Sequence, residues 1–371
     1  MACVCGRRAS YRRCVSKYLI SSVGTIEVER RYYSCRDCGA KQVPWDRWAG
    51  VDHRQVTPYA RRLVVLVGSM CSFDRASKKL EQLCRMCVNN DTIRRICDEE
   101  GLRVQRWLAA AVESVGKLKA SVGHWEFYTD GLMFNTVEGW REMRLSILCR
   151  REAGAAAAPA QWKDRVLPEV TARWALGKVA DSKEMGRFWG QLMRRVGVED
   201  GRDLSVVADG AKYIWQEVTG NIGSQAERVV DVFHVSEHIY ECGKALWGDE
   251  KRGRVWADER LTYGLNHDGV QLVNCLRKEC DGLTEPTMRG PLEKLVAYLE
   301  PHQDDMWYRQ RLERGLVIGS GVVEGACKNL VAARLKTNSC RWRVERAEHM
   351  AALRSLDYAG LVDAYWNQRA A

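Results

Sequence analysis

The chain has 371 residues, enough for two or three domains and a substantial core. It is 46% hydrophobic with only 7 prolines, the composition of an ordinary folded protein, and no repeat or low-complexity tract runs through it beyond a short alanine run. A formal net charge of +10 favours a polyanionic partner, although charge alone does not separate such a protein from a soluble one that happens to be basic.

Fifteen cysteines, an odd number in a long chain that opens without an apolar secretory stretch, do not suit a disulfide scaffold. Reduced cytoplasmic thiols, some holding zinc, are the expectation. No apolar run is long enough to span a bilayer, so a membrane is not expected as a partner.

Residues 1–50 predict a small module rich in Cys, Arg and Tyr. Gly24 to Ser34 alternates as a strand does and leads into Cys35-Arg-Asp-Cys38. With Cys3-Val-Cys5 upstream, this suggests a zinc-ribbon-like unit whose metal supplies much of the folding energy. The second ligand pair is Cys3 with Cys5, or involves Cys14; the plain alternative is an unmetallated β unit with inert thiols. Arg7, Arg8, Arg12, Arg13 and Lys17 stand in the first 26 residues without an acid.

Residues 51–118 predict helices. Ala76, Leu80 and Leu83 share a face that Ile93 and Ile96 resume after Asn89-Asn90, with Asn90 expected as the second helix's cap and Asp91 in its first turn. A helix–turn–helix would place Thr92, Arg94 and Arg95 in a major groove, although any helical hairpin looks similar.

Residues 119–244 predict an α/β core, first part. Trp125 to Tyr128 leads to Asp130-Gly131, read as a strand end, and Met143 to Cys149 alternates. A helix is expected over 182–197, a buried strand over Leu204 to Ala208, another over Arg228 to Val232, and a helix over Phe233 to Leu246. Residues 245–315 lack that alternation and predict a helical insertion. Residues 316–371 predict the final helices, one from about Gly319 to Lys336 and one from about Arg343 to Tyr358.

Three acids stand out. Asp209 is delivered by the apolar run VVADG, Asp130 by YTDG, and Glu324 lies at the start of a helix in IGSGVVEGACKNL. If the fold brings them together, such carboxylates suit two Mg²⁺ or Mn²⁺ ions and phosphodiester chemistry. Each also has an ordinary explanation: Asp-Gly pairs form turns, and a helical Glu is often only solvated. Asp231 and His234 are expected near this site. Gly319-Ser320-Gly321 lacks the ending of a P-loop, so an ATPase is not expected. Lys328, Arg334, Lys336, Arg341 and Arg343 form an acid-free basic stretch, in which Trp342 is placed to stack on an unpaired base or simply to anchor the last helix.

The motifs YTDG, EGWREMRL, VVADGAKYIW, VVDVFHVSEHIY and VIGSGVVEGACKNLVAARLKTNSCRW cover much of residues 125–350. In these the chain resembles the DDE transposases of bacterial insertion sequences, most closely the ISKra4-type family. The resemblance implies an RNase H-like mixed-sheet core with a helical insertion, and Asp130, Asp209 and Glu324 as the catalytic, Mg²⁺-binding acids. It further implies cleavage at the terminal inverted repeats of an element and 3′-hydroxyl transfer into target DNA by a homodimer or larger assembly in the bacterial cytoplasm, at the nucleoid. Two alternatives stay open: a metal-dependent structure-specific nuclease without strand transfer, and a zinc-containing DNA-binding protein with an inactive body.

Overall fold

Alternating side chains build a long N-terminal ribbon. Strand β1 (Ala9–Ser21) pairs antiparallel with β2 (Gly24–Cys35), and β2 with the short β3 (Lys41–Gln42). The structure, a computed structural model, describes residues 1–248, 250–337 and 340–370. It divides into two units, the first made of Met1–Arg106, Glu345–Arg354 and the residues from Tyr365 on.

In this first unit the ribbon is tied down at its hairpin end. Leu19 is buried, and Ile20 exchanges backbone hydrogen bonds of 2.8 and 3.0 Å with Gln55 and Thr57. A short helical turn, Pro44–Trp48, and three longer helices follow. Proline opens α1 (Pro58–Met70), where its missing N–H costs nothing. The Ser72 hydroxyl accepts from Arg75 N to cap α2 (Phe73–Cys84), which ends at Arg85 in the left-handed conformation.

Helix α3 (Asn90–Ala110) is capped by Asn89, whose Oδ1 accepts from Thr92 N at 2.8 Å. Asn90, expected as the cap, is already inside the helix. Ile93, Ile96, Cys97 and Val104 form the buried stripe of α3. Gly68 of α1 allows the two helices to touch, since a Cβ there would lie 2.6 Å from the Cys97 sulfur. Beneath them Glu100, fully buried, accepts from Arg61 Nε at 2.5 Å and from the Tyr365 hydroxyl at 2.9 Å.

The second unit, Trp107–Val344 with Ser355–Ala364, is a mixed α/β fold on an open five-stranded sheet. Its strands are β4 (His124–Thr136), β5 (Gly139–Arg151), β6 (Ala172–Lys178), β7 (Leu204–Ala208) and β8 (Glu227–Val230). The order across the sheet is β6-β5-β4-β7-β8; β6, β5 and β4 run antiparallel, and β4, β7 and β8 parallel. Every residue of β7 is buried, as a central strand covered on both faces requires. Strand β8 stops at Val230, short of the Val232 end expected.

Strands β4 and β5 outrun their neighbours. Strand β7 pairs with β4 only over Trp125–Tyr128, and β6 with β5 only over Arg144–Arg150. Residues 131–144 therefore project as a two-stranded hairpin, and the free edge of β4 takes a single bridge, Thr136 to Trp342.

Helix α4 (Ser182–Val196) starts at Asp181, whose Oδ1 accepts from Glu184 N at 2.8 Å, and stops at Gly197 with φ of 85°. Met185, Phe188, Trp189, Leu192 and Val196 recur at helical spacing on its buried side. Trp189 stacks edge-on against Phe127 of β4 and donates to Ser146 of β5 at 2.8 Å.

Helices α5 (Lys212–Glu217) and α6 (Val232–Trp247) follow β7 and β8. Four more fill the insertion: α7 (Glu250–Asn266), α8 (Gly269–Asp281), α9 (Pro286–Leu299) and α10 (Tyr308–Glu313). The next helical run begins as α11 (Gly321–Ala326) and passes through a π-helical stretch, Cys327–Ala332, before ending at Leu335. Helices α12 (Val344–Tyr358) and α13 (Val362–Ala370) complete the chain, so the long expected helix is real but wider in its middle. No described helix is long and apolar enough to cross a membrane.

Candidate metal centre and the carboxylate cluster

Two tight turns bring four thiols together at the open end of the ribbon. Cys3 N donates to Arg7 O at 2.9 Å and Gly6 N to Cys3 O at 3.0 Å, which curls Cys3 and Cys5 inward ahead of β1. Cys35 closes β2, and Gly39 N donates back to Cys35 O at 3.1 Å, with Gly39 at φ of 71°. Cys3 Sγ lies 3.5 Å from Cys38 Sγ, and Cys5 Sγ 3.7 Å from Cys35 Sγ; all four sulfurs lie within 4.8 Å of one another.

A Zn–S distance of about 2.3 Å places sulfurs about 3.8 Å apart on a tetrahedron. The donor set and the spacing therefore suit zinc. The backbone N–H of Cys5 leads the effects that lower the Cys3 thiol to about 7, so thiolate is accessible at neutral pH. Cys14, the other ligand considered, is exposed and meets the Tyr11 hydroxyl at 3.7 Å instead.

The three acids are placed differently from the expectation. Asp130 is not at a strand end: β4 continues past it for six residues, with Asp130 opposite Leu145. Its Oδ1 accepts from Gly131 N at 2.7 Å, and the Cys327 thiol meets its Oδ2 at 3.7 Å. Asp209 directly follows β7, and its Oδ1 accepts from Ala211 N at 2.9 Å. Glu324, in the first turn of α11, faces Lys328 at 4.0 Å and is 39% exposed.

The expected two-ion site is therefore corrected. Among the described residues, the group of metal-donor side chains that converges is Cys3, Cys5, Cys35 and Cys38, and Asp130, Asp209 and Glu324 do not join into such a group. Asp130 senses Asp209: burial first, and then the Asp209 charge, raise the Asp130 carboxyl above its ordinary range. The third acid does not close the set. The assignment as a DDE-type transposing enzyme with Mg²⁺ or Mn²⁺ falls with it.

Asp231 and His234 form a well-defined neighbouring pair. Asp231 caps α6 and is fully buried. Its Oδ1 accepts from Phe233 N at 3.0 Å and Ser320 N at 3.1 Å, and its Oδ2 pairs with the Ser320 hydroxyl and with His234 Nδ1, the latter at 2.9 Å. The contact to Ser320 gives the IGSG motif a structural purpose that its spacing did not reveal.

The Asp231 hydrogen bond is the main cause that raises His234 to about 9; burial opposes it, and the charges of Asp231, Asp209 and Glu237 add to it. A histidine raised in the fold stabilises while it is charged. Its contribution is complete below the ordinary value near 6.5 and is lost as pH rises through about 9. We expect the His234 imidazole to titrate near 9 by NMR and to fall back towards about 6.5 in Asp231→Asn. A wild-type midpoint at the ordinary value would refute the pairing.

The basic residues separate into two classes. Arg94 pairs with Asp91 at 3.1 Å and Arg95 with Glu99 at 3.7 Å, so acids on α3 partly neutralise the expected recognition helix. Arg334 is buried, its guanidinium 4.9 Å over the Trp342 ring, which removes it from the surface. Lys328, Lys336, Arg341 and Arg343 are exposed. Trp342 is half-buried with its Nε1 enclosed, an anchoring position.

Fold and site together define a mixed α/β protein that carries an N-terminal four-cysteine cluster able to hold a metal ion. The chain belongs to the uncharacterised protein family UPF0236, whose family model matches residues 6–369. No curated protein matches it.

Proposed function

We propose that this chain is a zinc-containing DNA-binding protein. The observation that carries the reading is the four-sulfur cluster at the tip of a basic ribbon. Arg7, Arg8, Arg12, Arg13, Arg31 and Arg36 are all exposed around that tip, with Asp37 as the acid among them. A zinc-stapled ribbon presents such side chains at fixed spacing to phosphates, and releases counterions as it binds. The overall charge of +10 acts in the same direction at longer range.

The body fits an RNase H-like architecture. Its first strand lies at the centre, two antiparallel strands extend one side and two parallel strands the other. Fifteen free cysteines suit a reducing cytoplasm.

Binding to a duplex should fall steeply with salt. Replacing Arg12, Arg13, Arg31 and Arg36 with alanine should flatten the log–log salt slope by up to about 3.6, at about 0.9 per lost phosphate contact. Anisotropy titrations between about 50 and 200 mM salt measure it. An unchanged slope in the variant would remove the ribbon from the DNA interface.

A further inference from the structure

The exposed ring in the neighbourhood of the basic C-terminal stretch is Trp140, at the tip of the hairpin that projects beyond the sheet. Directly opposed residues of an antiparallel pair share a face, and successive residues alternate. Asn135 opposes Trp140, Met133 opposes Glu142 and Gly131 opposes Arg144, so these residues share one side of the hairpin. Phe134, Thr136 and Met143 take the other side and are buried. On the first side Trp140 is 60% exposed and Met133 46%.

Trp342 bridges Thr136 and so turns its ring to the buried side. The backbone there is extended, with Arg343 at φ of −74° and ψ of 136°. Arg341 and Arg343, one residue on either side of Trp342, therefore turn towards the side of Trp140, and both are exposed. Among the described residues no ion pair holds either arginine. The acid on this face, Glu142, is already matched by Arg144 at 3.0 Å.

We infer that this face holds single-stranded DNA, with an unpaired base stacked on Trp140 and the adjoining phosphates paired by Arg341 and Arg343. The inference rests on the DNA-binding reading above and assigns it a second, strand-selective surface. An open indole beside unmatched guanidiniums complements a π-face flanked by phosphates. Bases within a duplex have both faces covered by their neighbours, so an unpaired base is the one that fits.

The test uses the full chain and a single strand of about 20 nucleotides carrying 2-aminopurine, beside a blunt duplex of the same sequence. Trp140→Ala should weaken single-strand binding about 5- to 100-fold and abolish the stacking quench of 2-aminopurine, while Trp140→Phe keeps most of both. Joint Arg341→Ala and Arg343→Ala should lower the single-strand salt slope by about 1.4, at about 0.7 per contact. Duplex affinity should move less than about twofold, because the ribbon carries it.

Unchanged affinity and quench in Trp140→Ala would overturn the inference and leave duplex binding standing. So would equal losses on both substrates, or altered self-association with DNA binding intact, which would make the face a protein interface. Failure of the wild type to bind either substrate would overturn this inference and the DNA-binding reading together.

Discussion

Replacing Cys35 with serine will release one zinc ion per chain and unravel the tip of the N-terminal ribbon. The buried cluster there consists of Cys3, Ala9 and Cys35, with Tyr33 and Ala40 the hydrophobic residues packed beside it among the described residues. That is too little apolar surface to order two turns and two strand ends against their conformational entropy. Structural zinc supplies about 10–16 kcal/mol in comparable peptides, which is the larger quantity.

The opposite end of the ribbon has its own anchor in Leu19 and the backbone bonds to Gln55 and Thr57. Unfolding should therefore stop partway along β1 and β2. Trypsin should cut at Arg7, Arg8 and Arg36 about a hundredfold faster in Cys35→Ser, following the local opening free energy, with the second unit unaffected. Unaltered cleavage would show that hydrogen bonds and packing hold the tip without metal.

Replacing Arg311 with alanine will destabilise the second unit by about 2–4 kcal/mol, through a cavity and lost charged hydrogen bonds. Arg311 is 0% exposed, and its guanidinium spends its donors on three separate elements. Nε donates to Val317 O at 2.7 Å, Nη1 to Glu227 at 2.8 Å and Nη2 to Ser205 Oγ at 2.7 Å. It thereby joins α10, β7, β8 and the segment leading to α11.

Its removal takes a buried donor from the Val317 carbonyl, the Ser205 hydroxyl and Glu227, which keeps Arg314 at 3.2 Å, and leaves a cavity beneath Trp307, whose ring lies 5.0 Å from the guanidinium. The control is Arg289→Ala: Arg289 is 46% exposed and pairs with Glu293 on the same helix turn, so its loss should leave the midpoint nearly unchanged. Urea midpoints measured side by side decide the matter, and equal shifts would deny Arg311 its keystone position.

Local patterns foretold local structure well. The amphipathic run at 182–197, which forms a helix over Ser182–Val196, the apolar strand at Leu204–Ala208 and the alternation before Cys35 all carry their own period and termini, and they form close to where expected. The four-cysteine cluster was legible for the same reason: knuckle cysteines sit in turns their own glycines shape.

What failed depended on neighbours distant in sequence. Asp130-Gly131 looks like a strand end, yet the strand runs on because β4 stays paired with β5 from His124 opposite Arg151 as far as Thr136 opposite Gly139. Asn89 and Asn90 are equally good caps by composition, and the fold chose the first.

Of the two roles open to Trp342, stacking on a base or anchoring, the fold gives it the enclosed, anchoring one. Trp342 sits between two arginines in sequence, but its bridge to Thr136 turns it inward beneath Arg334. Trp140, without such a flag, is the open ring. Convergence of Asp130, Asp209 and Glu324 was likewise a tertiary claim. Each carboxylate instead has nearer business: a backbone N–H for the two aspartates, Lys328 for Glu324.

Metal content bears most directly on the zinc module at the centre of this proposal. The 371-residue chain purified without added metal or chelator should contain one zinc per chain by elemental analysis, with none retained in the Cys35→Ser, Cys38→Ser double variant. Wild-type protein that folds with all four thiols free to react and no zinc bound would contradict it.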